Sequence, residues 1–274
     1  MVAKKSTGIR FSTVRFVSGI SAVRALPRAK GKRPAVILLH ERYGIDQHTK
    51  DLTVRLAQAG FVGFAPDLFS RFTGDRKALQ RGDARVELRD DEVLEDLNAA
   101  IGYLRRQSAV DGSRMGIVGV CQTGRQALLL GAHRKDLSAS VVLYGAIGGK
   151  EWLPNEMRPT PVADLITGCN CPILGVFGEA DHIISIEDVL KFRAYLEQTR
   201  KNYHVRVYRD APHGWLNDTM PGRYRKGAAK DAWNLIISFL RKSFHHGWDQ
   251  SRVTWNFESD FSTAYDFTKN VRMA

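Results

Sequence analysis

Enzymes that cut acyl bonds through a covalent intermediate need a nucleophile, a histidine to move its proton and a carboxylate to orient that histidine. The stretch MGIVGVCQTGRQALLL offers the nucleophile. A strand ends at Val118, Gly119 and Gly124 flank Cys121, and an Ala/Leu-rich helix begins almost at once. A sharp strand-to-helix turn lifts its central side chain above the sheet. Small neighbours let the backbone double back. The free N–H groups at the helix start favour a thiolate, and a thiol loses its proton more readily than a hydroxyl. Cys121 is therefore the expected nucleophile. An isolated cysteine is more often a buried hydrophobe. That is the reading for Cys169 and Cys171, because CNCP precedes a strand with no helix start behind it and no metal-ligand partners can be placed.

Where a nucleophile sits on such a turn, chain order runs nucleophile, acid, histidine. ILGVFGEADHII places Asp181 just beyond an apolar run, and VRVYRDAPHGWLND places His213 beyond the next. Both fall where the carboxyl-end loops of a parallel sheet converge. Among eight histidines, His40 is the nearest competitor and His182 adjoins Asp181. Glu179 is the weaker rival for the acid. HERYG at 40–44 follows the first core strand, where a loop can lend a backbone N–H to an oxyanion hole. The N–H of Gln122, next after the nucleophile, is the expected second donor. For Glu41 the local residues leave two roles open, a part in the site or a salt bridge to Arg42 or Arg125.

These residues need a frame. Residues 9–25 alternate partly and turn at Ser18-Gly19, which predicts an edge hairpin. AVILLH at 35–40 fits a strand buried on both faces. Helix 48–59, strand 61–66, a polar stretch at 70–90, helix 90–107 and strand 114–118 follow. After the nucleophile turn come strand 139–144, an irregular excursion with at most short helices over 145–168, strand 171–178, helix 186–199, strand 203–208 and an amphipathic helix at 225–242. Repeated strand-helix alternation predicts a doubly wound, mostly parallel α/β sheet with helices on both faces and an N-terminal antiparallel hairpin. One domain over residues 1–244 accounts for this. Residues 245–274 form an aromatic-rich extension with Trp248, Trp255, Phe257, Phe261, Tyr265 and Phe267, too apolar for a solvated tail. It packs either on its own chain or against a second copy in a homo-oligomer.

The chain has 274 residues and a net charge of +12. Its basic residues are dispersed: Arg71, Arg76, Lys77, Arg81, Arg85 and Arg89 are interleaved with Asp75, Asp83, Glu87 and Asp90. No zinc-finger spacing or recognition-helix pattern stands out, so no specific nucleic-acid partner is expected. A solvated basic surface, or steering of an anionic substrate, explains the charge. Three cysteines are too few for a disulfide framework, and the N-terminus never becomes a continuous apolar stretch. A cytoplasmic location with no membrane partner is expected.

Taken together, ILLHERYGIDQHTKDLTVRLAQAGFVGFAPDLFSR, GIVGVCQTGRQALLL, PILGVFGEADHII, VRVYRDAPHGW and YRKGAAKDAWNLIISFL resemble the dienelactone hydrolase family (carboxymethylenebutenolidases) over residues 10–242. The resemblance implies an α/β-hydrolase fold and a small-molecule ester or lactone substrate opened through an acyl-enzyme, with no metal or organic cofactor. It implies a Cys121–Asp181–His213 triad, a Glu41 that contacts the resting thiol and helps control its ionisation, and oxyanion donors at the N–H groups of Arg42 and Gln122. Two departures stand out. The family turn G-x-C-x-G-G has Thr123 at its first late glycine. The arginine that holds the substrate carboxylate, four positions after the histidine, is Asn217 here; Arg71, Arg76, Arg81 and Arg85 are the remaining candidates for a carboxylate contact. A thioesterase or peptidase on the same scaffold is the nearest rival. A non-enzymatic interaction protein is the next, and the intact order of Cys121, Asp181 and His213 argues against it.

Overall fold

Along strand β3 (Arg33–Leu39) successive side chains enter opposite cores. Ala35, Ile37 and Leu39 join one apolar cluster, while Val36 and Leu38 join the other. A strand with a core on each face reads as an unbroken apolar run, which is why AVILL shows no alternation. The computed structural model describes residues 8–16, 19–245 and 252–260. Its other strands are β1 (Ile9–Arg15), β2 (Ser21–Pro27), β4 (Val62–Pro66), β5 (Val110–Val120), β6 (Ala139–Leu143), β7 (Ile173–Gly178), β8 (Tyr203–Tyr208) and β9 (Trp255–Ser259). Its helices are α1 (Gln47–Gln58), α2 (Arg76–Arg81), α3 (Asp90–Arg105), α4 (Gly124–His133), α5 (Val162–Gly168), α6 (Ile186–Gln198) and α7 (Lys226–His245).

All the described strands join one sheet in the order β1-β2-β4-β3-β5-β6-β7-β8-β9. β1 pairs antiparallel with β2, and β2 antiparallel with β4. Every pair from β4 across to β9 is parallel. This is the α/β-hydrolase architecture. Leu52, Leu56, Ala232 and Ile236 of α1 and α7 cover one face. Leu97, Leu128, Leu165 and Phe192 of α3 to α6 cover the other. The chain leaves β3 toward β4, then returns past β3 to β5, so the winding direction reverses there. A crevice opens above the carboxyl ends of strands at such a switch point. No described helix is long and apolar enough to cross a membrane.

The differences from the sequence reading have local causes. β5 starts at Val110 rather than at residue 114. Its first residues precede a register shift against β3, and Asp111 bonds Ser113 and Arg114, so polarity hides the strand. The polar stretch 70–90 holds α2, with Asp75 capping the Lys77 N–H and Gly82 ending the helix at φ 84°. Within 145–168 the expectation of at most short helices is met by α5, which buries Val162, Leu165 and Ile166 on one face. In the extension, Trp255–Ser259 adds the parallel edge strand β9, in register from Tyr203–Trp255 to Val207–Ser259. That part of the extension therefore packs on its own chain. Trp248, Phe261, Tyr265, Phe267 and Ser18 of the predicted hairpin turn lie outside the described residues.

Candidate active site

Cys121 sits directly after β5 at φ 56°, a left-handed conformation that side-chain-bearing residues rarely adopt. Such strain belongs to a turn that aims one side chain out of the sheet. Two glycines make the turn fit. A Cβ on Gly119 would collide with the Thr123 carbonyl oxygen, and one on Gly124 with the Gly145 backbone. The Ala146 N–H donates to the Cys121 carbonyl at 3.0 Å, fastening the turn to the loop after β6. The thiol remains half-buried, whereas Cys169 and Cys171 are buried.

Three loops bring the expected triad together. His213 Nε2 lies 3.1 Å from Cys121 Sγ, and His213 Nδ1 lies 2.9 Å from Asp181 Oδ2. The other Asp181 oxygen accepts the N–H groups of Ile183 (2.8 Å) and Ile184 (3.0 Å), so the carboxylate is fixed on both sides. Burial works against an imidazolium here. The Asp181 charge, the Cys121 thiolate and the hydrogen bonds to both outweigh it, holding His213 well above the usual histidine range. Tyr144, at the end of β6, sets its ring edgewise to His213 at 5.4 Å. Gly214, at φ 79°, turns the chain away behind the histidine.

The competitors have other duties. His40 bonds the Glu41 carbonyl through Nδ1 at 2.8 Å and accepts the Leu68 N–H on Nε2 at 3.1 Å. With one nitrogen donating and one accepting, its ring is neutral, and burial lowers its pKa. Glu179 accepts the Asp210 N–H at 3.3 Å. His182 stands near His213, with ring centroids 6.2 Å apart.

Glu41 is buried, and among the described residues no cation lies within 4.0 Å of its carboxylate. The salt-bridge reading finds no partner: Arg42 donates to the Gly82 carbonyl at 2.7 Å, and Arg125 pairs with Asp90 at 2.5 Å. Asn217 Nδ2 instead donates to Glu41 Oε2 at 2.8 Å. Thr219 donates its N–H and hydroxyl to Asn217 Oδ1, which fixes the amide with its nitrogen toward Glu41. Asn217 is wholly buried. Arg42 and Gln122 stand on neighbouring strand ends, each three residues beyond the register pair Leu39–Gly119. At Thr123 the backbone φ is −91°, so this departure from the family turn adds no strain.

A cavity of about 380 Å³ opens on Cys121 and His213 and carries Arg42, Arg85, Lys150 and Arg158 in its walls. A chamber of about 190 Å³ adjoins it, bounded by Tyr43, Met220 and Arg223. Of the four arginines offered by the sequence, Arg85 alone lines a chamber beside the thiol. Arg71 pairs with Asp96, Arg76 with Asp67 and Arg81 with Asp83. Spacing gave no signal for Lys150, Arg158 or Arg223, which reach the crevice only through loop geometry. Arg158 is held by Glu151 and Glu87, each at 2.7 Å.

The dienelactone hydrolase family model matches residues 20–244. A candidate 2-oxo-3-(5-oxofuran-2-ylidene)propanoate lactonase of Bradyrhizobium is 33% identical over 222 residues, 80% of this chain and 88% of that protein. A candidate carboxymethylenebutenolidase of Salmonella typhimurium is 33% identical over 226 residues, covering 80% and 81%. The crystal structure of a candidate dienelactone hydrolase from Klebsiella pneumoniae superposes with a TM-score of 0.78 at 29% identity, covering 86% of this chain and all of that one. Sequence kinship over most of the length thus coincides with a thiol, imidazole and carboxylate in hydrogen-bonded series, and the chain belongs to the dienelactone hydrolase family as a cysteine-dependent hydrolase of small esters or lactones.

Proposed function

We propose that Cys121, His213 and Asp181 are the catalytic triad of a lactonase or esterase for small anionic substrates. The observation that carries this is the unbroken series from Cys121 Sγ through His213 to Asp181, at 3.1 and 2.9 Å. The thiolate attacks the substrate carbonyl, and the N–H groups of Arg42 and Gln122 receive the developing oxyanion. As the tetrahedral adduct collapses, the acyl C–O bond breaks and the leaving oxygen takes the imidazolium proton. His213 then draws a proton from water, the hydroxide attacks the thioester, and the acid departs as the thiolate re-forms. Glu41, buried at the end of β3, tunes the resting thiol.

The basic walls of the crevice support an anionic group on the substrate, in line with the oxofuranylidene-propanoate named for the Bradyrhizobium relative. In this reading residues 1–244 are one catalytic domain in the cytoplasm. Residues 245–274 are an extension to it, and a homo-oligomer contact is assigned to that extension. The test is a panel of enol-lactones, aryl esters, thioesters and peptides run against the parent and Cys121→Ala proteins. Lactone or ester turnover that vanishes in the variant is expected. Equal turnover by both proteins removes Cys121 from the mechanism, and faster thioester or peptide cleavage moves the substrate class.

A further inference from the structure

We propose that Thr123 is a positioning residue for the oxyanion site: its hydroxyl braces the end of β3 against the nucleophile turn and so sets the spacing of the Arg42 and Gln122 N–H groups. The proposal rests on the assignment of those two donors given above. They follow different strands, and the last register pair between those strands is Leu39–Gly119. Beyond it the sheet ladder no longer dictates how far apart the two loops lie. Thr123 Oγ1 stands in that gap. It accepts the Val120 N–H at 3.0 Å, and its proton is offered to the Val120 carbonyl at 2.9 Å and the His40 carbonyl at 3.1 Å.

The brace joins residues 83 positions apart in the chain, and Thr123 is wholly buried. It makes no part of either chamber wall, so its effect on the reaction must pass through the backbone. The far end is itself rigid. The His40 ring ties the Glu41 carbonyl to the Leu68 N–H, so fixing the His40 carbonyl also fixes the peptide units that lead to Arg42. At the near end Thr123 is one residue from Gln122. Oxyanion donors act over a narrow range of about 2.7–3.1 Å, so a few tenths of an ångström between the loops decide whether both reach one oxygen. Glycine or alanine at this position would leave the His40 carbonyl without the hydroxyl that now meets it.

The test compares Thr123→Val, which keeps bulk and loses the hydroxyl, with Thr123→Ser, which keeps the hydroxyl. Turnover of an activated ester, affinity for a trifluoromethyl ketone trapped as a tetrahedral oxyanion, and alkylation of Cys121 by iodoacetamide across pH are measured on each. For Thr123→Val, kcat is expected to fall about tenfold with KM little changed, and ketone affinity to fall by a similar factor. Alkylation and its pH profile should match the parent, because the contact with His213 is untouched. Thr123→Ser should recover most of kcat and of ketone affinity. Thr123→Ala answers the same question if the valine protein does not fold. A lower melting temperature with unchanged kcat and ketone affinity overturns the proposal, since the hydroxyl would then be merely structural. Loss of alkylation in step with kcat also overturns it, because the effect would run through the thiol. If the parent itself binds no ketone while Cys121 still alkylates, the donor assignment fails and the proposal falls with it.

Discussion

Replacing Asn217 with leucine tests how the buried Glu41 carboxylate is held. The two side chains are 0% and 3% exposed and meet at 2.8 Å. Leucine nearly matches asparagine in volume, so the dominant change is electrostatic. A hydrogen bond to a charged group contributes about 1.5–3 kcal/mol, and stranding a buried charge pushes the loss toward the upper end. A destabilisation of about 3 kcal/mol follows. At roughly 2–4 °C per kcal/mol for a large domain, that lowers the melting temperature by about 6–12 °C. Glu41→Gln removes the charge, so adding Asn217→Leu to it should cost only about 1–1.5 kcal/mol. Urea unfolding of the parent, both single variants and the double variant therefore returns a coupling energy of about 1.5–2 kcal/mol. Additivity within about 0.5 kcal/mol would show that Asn217 does not act through the carboxylate, and the reasoning would be refuted.

Three further outcomes are expected. Gly145→Ala drives a Cβ into Val142 and the Gly124 backbone, so ester turnover should collapse and stability fall by about 1–3 kcal/mol, while Gly149→Ala, whose Cβ meets nothing within 4 Å, should keep parental values in the same assays. Arg125→Met strands the buried Asp90 and should cost about 3–5 kcal/mol in chemical denaturation, relieved in part by a second Asp90→Asn change. The Arg134 hydrogen bond, helped by Arg105 and opposed by partial burial, holds the Asp136 carboxyl down to about 2. A depressed carboxyl stabilises the fold above its unfolded value near 3.9 and loses that contribution as pH falls through about 2. Asp136→Asn should therefore flatten the decline in urea midpoint between about pH 4 and 2, and an unchanged decline would remove Asp136 from the acid limb.

The parts of this molecule that are repetitive or locally crowded were legible in the sequence. AVILLH, SVVLYG and CPILGVFG announce strands with two cores, and the glycines around Cys121 mark a turn that leaves no room for a Cβ. Chain order singled out Asp181 and His213 because each follows a core strand directly. Long-range closure was not legible. WNFES carries no stronger strand signal than the rest of its aromatic segment, and only the open edge of β8 makes it a strand. Asn217 could be read as a missing arginine, yet nothing nearby in sequence shows that it faces Glu41, 176 residues away. The cationic wall was legible only as composition, since ion pairs with Asp96, Asp67 and Asp83 draw Arg71, Arg76 and Arg81 elsewhere.

Chemistry and recognition come from different material in this chain. The reacting groups stand at strand ends, where interlocked glycines and a strained cysteine leave little freedom to vary. Much of the crevice wall, with Arg85, Lys150, Ile183 and Arg223, stands on loops between the strands and helices. Substitutions in those loops change what enters without disturbing how it is cut. Such a scaffold is evolvable: wall side chains can change while the strained cysteine and its two close-packed glycines stay in place. Laboratory selection for a new ester or lactone should accordingly gather its mutations in residues 82–85, 148–158, 182–184 and 220–223, and spare residues 119–124.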